Sequence, residues 1–392
     1  MKLIYLTTTP LPATTAHSIQ IMHMCDAFAR TGHEVELVAP DIPGRVSADP
    51  FEYYDLPSRF NVRRIGTLAP GRGASRRLAS HLLYLWRAVR YLRTQRYDTL
   101  YAREMGFAQI STFFRDYFLE VHALPRRAGR LYRRKWQRAR GIVVITERLK
   151  ELLTAQGVSE ERLLVAPDGV DLDRFAVPRS REEARRGLGL PQEGRLVVYA
   201  GSLYGWKGVQ TLARAASLLP PAVTTFFVGG NEEDAAEFRQ QHADDRIRVI
   251  GHRPYHEVPL YLAAADVLVL PNSGQSAMSR HYTSPLKLFE YMASGRPIVA
   301  SDLPSFREIL DEQAAVLVPS DDPHALASGI NAVLESACLA TRLGNRAREL
   351  AQAYTWTARA NRIVGFLERM SGKKVAAVTA ATASAGPVGE PR

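Results

Sequence analysis

The sequence predicts an α/β protein made of two doubly wound, parallel-sheet units in series. Three observations carry this expectation. Short apolar runs alternate with segments of helical period, the pattern of buried strands joined by covering helices. That alternation restarts after a charged, Pro- and Gly-rich stretch near the middle of the chain. At 392 residues, the chain also exceeds the roughly 250–300 residues at which one hydrophobic core stops growing.

In the first unit, LIYL reads as a strand and a helix follows from about Ser18 to Thr31. VELVA, TLYA, FLEV and IVVI then read as further strands, which places the unit at 1–177. PRSREEARRGLGLPQEGR, residues 178–195, reads as a linker. The second unit, 196–352, has strands at RLVVYAGS, TTFFVGG, RIRVIG, DVLVLP and RPIVAS. An amphipathic helix at about 353–370 offers Trp356, Ile363 and Phe366 for packing. Residues 371–392 are small and lack a large apolar period, which predicts disorder.

Composition narrows the class. The chain is 46% hydrophobic and 23% charged, and no run approaches the ~20 apolar residues of a membrane-spanning helix. MKLIYLTTTP is too short in its apolar part for a secretory signal. Cys25 and Cys338 stand far apart with no neighbouring cysteine, which favours the cytosol over a disulfide framework. The net charge of +11 is uneven, because residues 125–141 hold eight basic side chains and no acidic one. Residues 75–96 repeat the theme with apolar side chains at helical spacing.

Neither unit has GxGxxG after its first strand, which argues against a nicotinamide enzyme. In open parallel sheets, ligands gather at the carboxyl ends of the strands, here the loops after VVYAGS, FFVGG, VIGHRP and VLPNSG. Gly201, Ser202 and Arg253 stand in these loops. Further on, Thr283 leads to Ser284 and Pro285, a helix-start signal with Ser284 as the cap. The amides of Leu286 and Lys287 then face outward, with the positive end of the helix dipole behind them, and suit a phosphate.

Glu290 follows on the same helix face, where its two oxygens suit the hydroxyls of a ribose. A pair with Lys287 on a solvated face is the alternative. Lys207, in GSLYGWKG, stands where it can neutralise a diphosphate, although exposed lysines at loop ends are common.

PLKLFEYMASGRPIVASDLPSFREIL, with AGSLYGWKG, VAPDGVDLDRF and HEVPLYLAAADVLVLPN in order, resembles the retaining glycosyltransferases of family 4 from about residue 3 to 369. The resemblance implies the GT-B architecture, two facing Rossmann-like domains with a C-terminal crossover helix. It implies that Glu290 holds the donor ribose, the Leu286 and Lys287 amides hold the diphosphate, and Lys207 stabilises it as it leaves. It places the acceptor on the first domain, with His17, Ser18, Arg103, Glu104 and His122 as candidates and His122 facing the transferred sugar.

No DxD pair stands where a metal would be expected, so neither metal nor cofactor is expected beside a nucleotide-sugar substrate. Asp321 and Asp322 read as a helix start. Two positions depart from the family pattern: Tyr282 where a second glutamate is usual, and Ser202 where arginine is common. Arg280, His281 and Tyr282 itself are the candidate substitutes.

The basic segment from Arg126 to Arg140, with Leu131, Tyr132 and Trp136, is expected to lie on an anionic bilayer at the inner face of the cell membrane. A lipid-linked or envelope-polysaccharide acceptor follows. No nucleic-acid motif accompanies the arginines. The alternative function is a membrane-associated subunit that keeps the fold and has lost turnover.

Overall fold

A computed structural model describes residues 1–43, 48–69, 73–103, 113–114, 116–125, 129–175 and 180–372. The first sheet contains β1 (Lys2–Leu6), β2 (Glu34–Asp41), β3 (Asn61–Gly66), β4 (Thr99–Arg103), β5 (Phe118–Val121), β6 (Gly141–Val144) and β7 (Leu163–Val165). Their order is β3-β2-β1-β4-β5-β6-β7, and every pairing is parallel.

The second sheet contains β8 (Arg195–Ala200), β9 (Val223–Val228), β10 (Ile247–Gly251), β11 (Val267–Leu270), β12 (Ile298–Ser301) and β13 (Val316–Val318). Its order is β10-β9-β8-β11-β12-β13, again parallel throughout. Both sheets therefore reverse winding direction, between β1 and β4 and between β8 and β11. Those reversals open the crevices in which such sheets bind ligands.

The first helix, Ala16–Arg30, starts two residues before the expected position because Thr15 accepts from the Ser18 amide as its cap. The stretch read as a linker is not one. Its helix Arg181–Leu188 has a full capping box, and Ala184 and Leu190 join the core of the second domain. Asp266 fastens it, accepting from Arg185 Nη2 at 2.6 Å, Arg181 Nη1 at 2.6 Å, Arg195 Nη1 at 3.2 Å and the Leu196 amide at 2.7 Å.

The C-terminal helix, Trp356–Met370, packs against the first domain. Trp356, Ile363, Phe366 and Leu367 share a core cluster with Leu3, Tyr5, Leu37 and Phe118. Burying each such side chain stabilises this docking by about 1.5–3 kcal/mol. Residues 373–392, part of the expected disordered tail, lie outside the described residues.

The basic helix Arg130–Arg138 departs from the sequence expectation. Trp136 is buried in the first domain's core and Tyr132 packs against it, so neither faces a bilayer. Arg126, Arg127 and the Leu131 side chain lie outside the described residues. An exposed apolar stripe lies on the helix Ala74–Thr94, where Leu78, Leu82 and Trp86 recur at a helical interval and are 56%, 49% and 55% exposed. No described helix is long and apolar enough to cross a membrane. Cys25 is buried, Cys338 exposed, and both are free.

Candidate functional site

One half of the site lies where β8 and β11 diverge. Gly208 and Gly229 both have positive φ, and a Cβ at either would run into a backbone carbonyl, that of Pro271 or of Gly201. Glycine thus lets the loops after three strands close on one another. Trp206 lies in the loop after β8, and its carbonyl accepts from the Ser273 amide at 3.1 Å and the Ser279 hydroxyl at 2.9 Å. The end of β8 is pinned as well, because the Ala200 amide donates to the Tyr291 hydroxyl at 2.7 Å.

The helix carrying Tyr291 runs Leu286–Ser294 with Pro285 as its cap residue. Ser284 is therefore not the cap. Its hydroxyl accepts from the Asp168 amide of the first domain at 2.9 Å. The Leu286 and Lys287 amides precede the first turn's backbone bond, from Leu288 to Pro285, and stand where an anion is favoured.

Lys287 is buried, and its ammonium has no hydrogen-bond partner while lying 4.1 Å from the Tyr199 ring centroid. Burial, and then the charge of Lys207, hold Lys287 well below the usual lysine range. Burial alone lowers Lys207 to about 8, and its ammonium rests 3.9 Å from the Trp206 ring centroid. Two converging cations of this kind suit a polyanionic ligand.

Glu290, one turn behind, is buried and accepts from the Tyr255 hydroxyl at 2.9 Å. Burial raises its carboxyl to about 7. The solvated pair with Lys287 is thus not what forms. Among the other donor-side candidates, Gly201 and Ser202 are half-buried, Thr283 is buried and Arg253 is exposed. The Ser202 carbonyl accepts from the Tyr199 hydroxyl at 2.7 Å.

The other half lies at the carboxyl edge of the first sheet. His17 is exposed at the first helix's start. Ser18 is fully buried, and its hydroxyl donates to the Ala13 carbonyl at 2.6 Å, so it shapes this loop. Glu104 lies outside the described residues. Arg103 is buried at the end of β4, with Nε 3.3 Å from His122 Nε2.

His122 Nε2 lies 2.7 Å from Glu120 Oε1, while the side chain keeps 18% exposure. Burial, then the Arg103 charge, depress the imidazole to about 3. Burial pushes the Glu120 carboxyl up, but Arg359, His122 and Arg103 outweigh it and hold it well below the usual range. Asp168 is raised to about 7, chiefly by burial.

Ligand atoms of Glu120, His122 and Asp168 lie within 4.8 Å of one another, the one such grouping among the described residues. Arg359 is already 2.8 Å from Glu120 and 3.9 Å from Asp168. The acids are thus met by cations of the protein, and a metal ion would face electrostatic opposition there.

The two halves meet directly. Thr146 Oγ1 donates to the His281 carbonyl at 2.9 Å, and the Glu147 amide to Glu308 Oε2 at 2.9 Å. Tyr282 packs against the first domain's core, and Leu286 joins a cluster with the crossover helix. Glu120, Asp168, Tyr255 and Arg359 went unnoticed in sequence. A carboxylate inside the apolar run FLEV was the only available signal.

Two facing Rossmann-like domains, a crossover helix and a cationic helix start between them define a protein of the GT-B architecture. Family models match in series, Glycosyltransferase Family 4 over residues 18–174 and Glycosyl transferases group 1 over residues 194–336. The chain belongs to the family 4, group 1 glycosyltransferases.

It is similar to a D-inositol 3-phosphate glycosyltransferase of Xylanimonas cellulosilytica, 31% identical over 54% of this chain and 52% of that protein. It is also similar to the phosphatidyl-myo-inositol mannosyltransferase of Mycolicibacterium smegmatis, 32% identical over 53% and 52%. The chain thus spans about half the length of these curated relatives. Anabaena Alr3699/HepE in complex with UDP shares the fold, with TM-score 0.72 and 19% identity over 94% of this chain and 100% of that one. So does sucrose-phosphate synthase of Thermosynechococcus elongatus, with TM-score 0.76 and 21% identity over 95% and 100%.

Proposed function

We propose that this chain transfers a sugar from a nucleoside-diphosphate sugar to a hydroxyl of a lipid-linked or envelope-polysaccharide precursor, with retention and without a metal, at the cytoplasmic face of the membrane. The observation that carries the donor reading is the buried Lys287, whose ammonium has no hydrogen-bond partner and feels the charge of Lys207, at a helix start with Glu290 one turn behind. Such a site offers two cations and two amides to a diphosphate and a carboxylate to a ribose. The UDP bound by HepE and the inositol acceptors named for the relatives support the substrate classes.

In the proposed reaction, the acceptor oxygen bonds to the anomeric carbon on the face that the phosphate leaves, and the acceptor proton passes to the departing phosphate oxygen. Lys207 and the helix amides meet the charge that develops there. His122 faces the transferred sugar.

The test is nucleotide binding by calorimetry across a panel of UDP, GDP and ADP. One nucleotide should bind, and Glu290→Ala should weaken it at least tenfold. The pH dependence follows from the two charges. Glu290 must be anionic to accept ribose hydroxyls, so affinity should fall as pH drops through about 7. Lys207 must be cationic to meet the diphosphate, so affinity should fall again above about 8. A flat profile from pH 6 to 9, or no binding at all, would sink the donor reading. Donor hydrolysis that survives Glu290→Ala would equally contradict it. A folded protein that binds nucleotide without turnover would favour the non-catalytic subunit.

Membrane contact is assigned here to the helix Ala74–Thr94. Its stripe of Leu78, Leu82 and Trp86 is flanked by exposed Arg76, Arg77, Arg90 and Arg93, with the Arg90 guanidinium 4.9 Å from the Trp86 ring centroid. Each basic residue near an anionic surface contributes about 1 kcal/mol. Vesicles containing phosphatidylserine should bind the protein at low salt, and the Leu82→Ser, Trp86→Ser double variant should weaken that binding about tenfold or more. Equal binding by the variant would refute this placement.

A further inference from the structure

Glu120, with no side-chain exposure, is enclosed by polar groups. It accepts from Gln20 Nε2 at 2.8 Å, Tyr101 Oη at 2.7 Å, Arg359 Nη2 at 2.8 Å and, at a longer 3.4 Å, Tyr5 Oη, and its Oε1 lies 2.7 Å from His122 Nε2. These fill the roughly four acceptor sites of a carboxylate. Arg359 arrives from the crossover helix and also donates from Nε to the carbonyls of Ala166 at 3.2 Å and Pro167 at 2.9 Å. Its guanidinium is thus held on two sides while it holds Glu120.

The short contact to an anionic Glu120 places a proton on His122 Nε2. Arg103 Nε–H points at the same nitrogen from 3.3 Å, a contact that alone would suit a bare Nε2; the 2.7 Å contact to Glu120 is the shorter, and an anionic carboxylate can only accept, so it decides the proton. Burial, and then the charges of Arg103 and Arg359, oppose a second proton on the ring. Nδ1 is left as the ring's acceptor.

We propose that Glu120 and Arg359 are positioning residues for His122. They hold its imidazole as the neutral Nε2–H tautomer, with Nδ1 as the acceptor for a hydroxyl of the bound sugar or acceptor. The seat of the crossover helix thereby sets the orientation of the ring. The identity of that hydroxyl rests on the transferase reading above, whereas the tautomer does not.

The tautomer is read directly from nitrogen-15 spectra of histidine-labelled protein, with His122 identified by the signals lost in His122→Gln. The wild-type ring should show Nε2 protonated and Nδ1 bare. In Glu120→Gln, the side-chain oxygen stays with Arg359 and Tyr101, and the amide nitrogen faces the ring. The ring proton should then move to Nδ1, as when an amide replaces a carboxylate behind other functional imidazoles.

With a nucleotide sugar as substrate, kcat in Glu120→Gln should fall about 10–100-fold, the scale of a misplaced group, while KM for the donor stays within about twofold. Arg359→Lys should recover most of the kcat that Arg359→Met loses. A wild-type ring protonated at Nδ1, or a Glu120→Gln ring with an unchanged tautomer, would overturn the proposal. So would Arg359 variants with wild-type kcat. If Glu120→Gln does not fold, the wild-type spectrum and the Arg359 pair still decide the matter. Absence of turnover in the wild type would remove the transferase reading and leave the spectrum to judge the tautomer.

Discussion

Lys207→Ala is expected to lower kcat about 10²–10³-fold, the loss that follows removal of one preorganised group facing developing charge. The lysine sits in the short 3-10 turn Gly205–Lys207, between β8 and Gly208. That turn is itself tied to Ser273 and Ser279 through the Trp206 carbonyl. Its ammonium is thus presented by a fixed loop and needs no reorganisation as the phosphate departs. Lys207→Arg should restore only part of the rate, because a planar fork replaces a compact point charge.

Stability should move the other way. Burial makes both lysines unfavourable, and the charge of Lys207 adds to this at Lys287, so Lys207→Ala should unfold at an equal or higher denaturant concentration. A kcat loss below tenfold in a folded Lys207→Ala protein would remove this lysine from the transfer step.

Asp266→Ala should cost about 3–5 kcal/mol, as expected when one member of a buried ionic cluster is removed. Arg185 and Asp266 are nearly inaccessible, at 5% and 4% side-chain exposure. Without the carboxylate, the Arg185 charge and the Leu196 amide both lose a partner inside the second domain. Urea unfolding should show the loss as a lower midpoint with similar slope. Nucleotide affinity below the transition should be unchanged, because Asp266 precedes β11 and the donor site lies at that strand's far end. A midpoint shift worth less than ~1 kcal/mol would show that the arginines find solvent instead.

The strands legible as continuous apolar runs are mostly interior ones, buried on both faces. β3, β7 and β13 were not anticipated, and each lies at an edge of its sheet. An edge strand has less neighbouring core to face and needs no long apolar run; β3 reads NVRRIG, with arginines inside it. The same limit applies to the two basic helices. Trp136 and Leu82 both occur among arginines in helices, and spacing alone does not say which helix turns its apolar side inward. Trp136 found the first domain's core and Leu82 did not.

The cationic helix start was legible because it is local. A helix start, a glycine-bounded loop and a carboxylate one turn along are set by backbone geometry within a few residues of one another. Lys207, Lys287 and Glu290 could therefore be picked out from spacing and residue type. Even there, the cap was misread, because Ser284 prefers a partner in the other domain, the Asp168 amide.

The sequence by itself determined two parallel-sheet domains and the chemistry offered at the second domain's helix start. Only the tertiary structure decided what stands behind His122, since Glu120 and Arg359 are 239 positions apart. The structure also turned Tyr282 toward the first domain. Contacts of that range leave no local periodicity, because they form where two separately built cores come together.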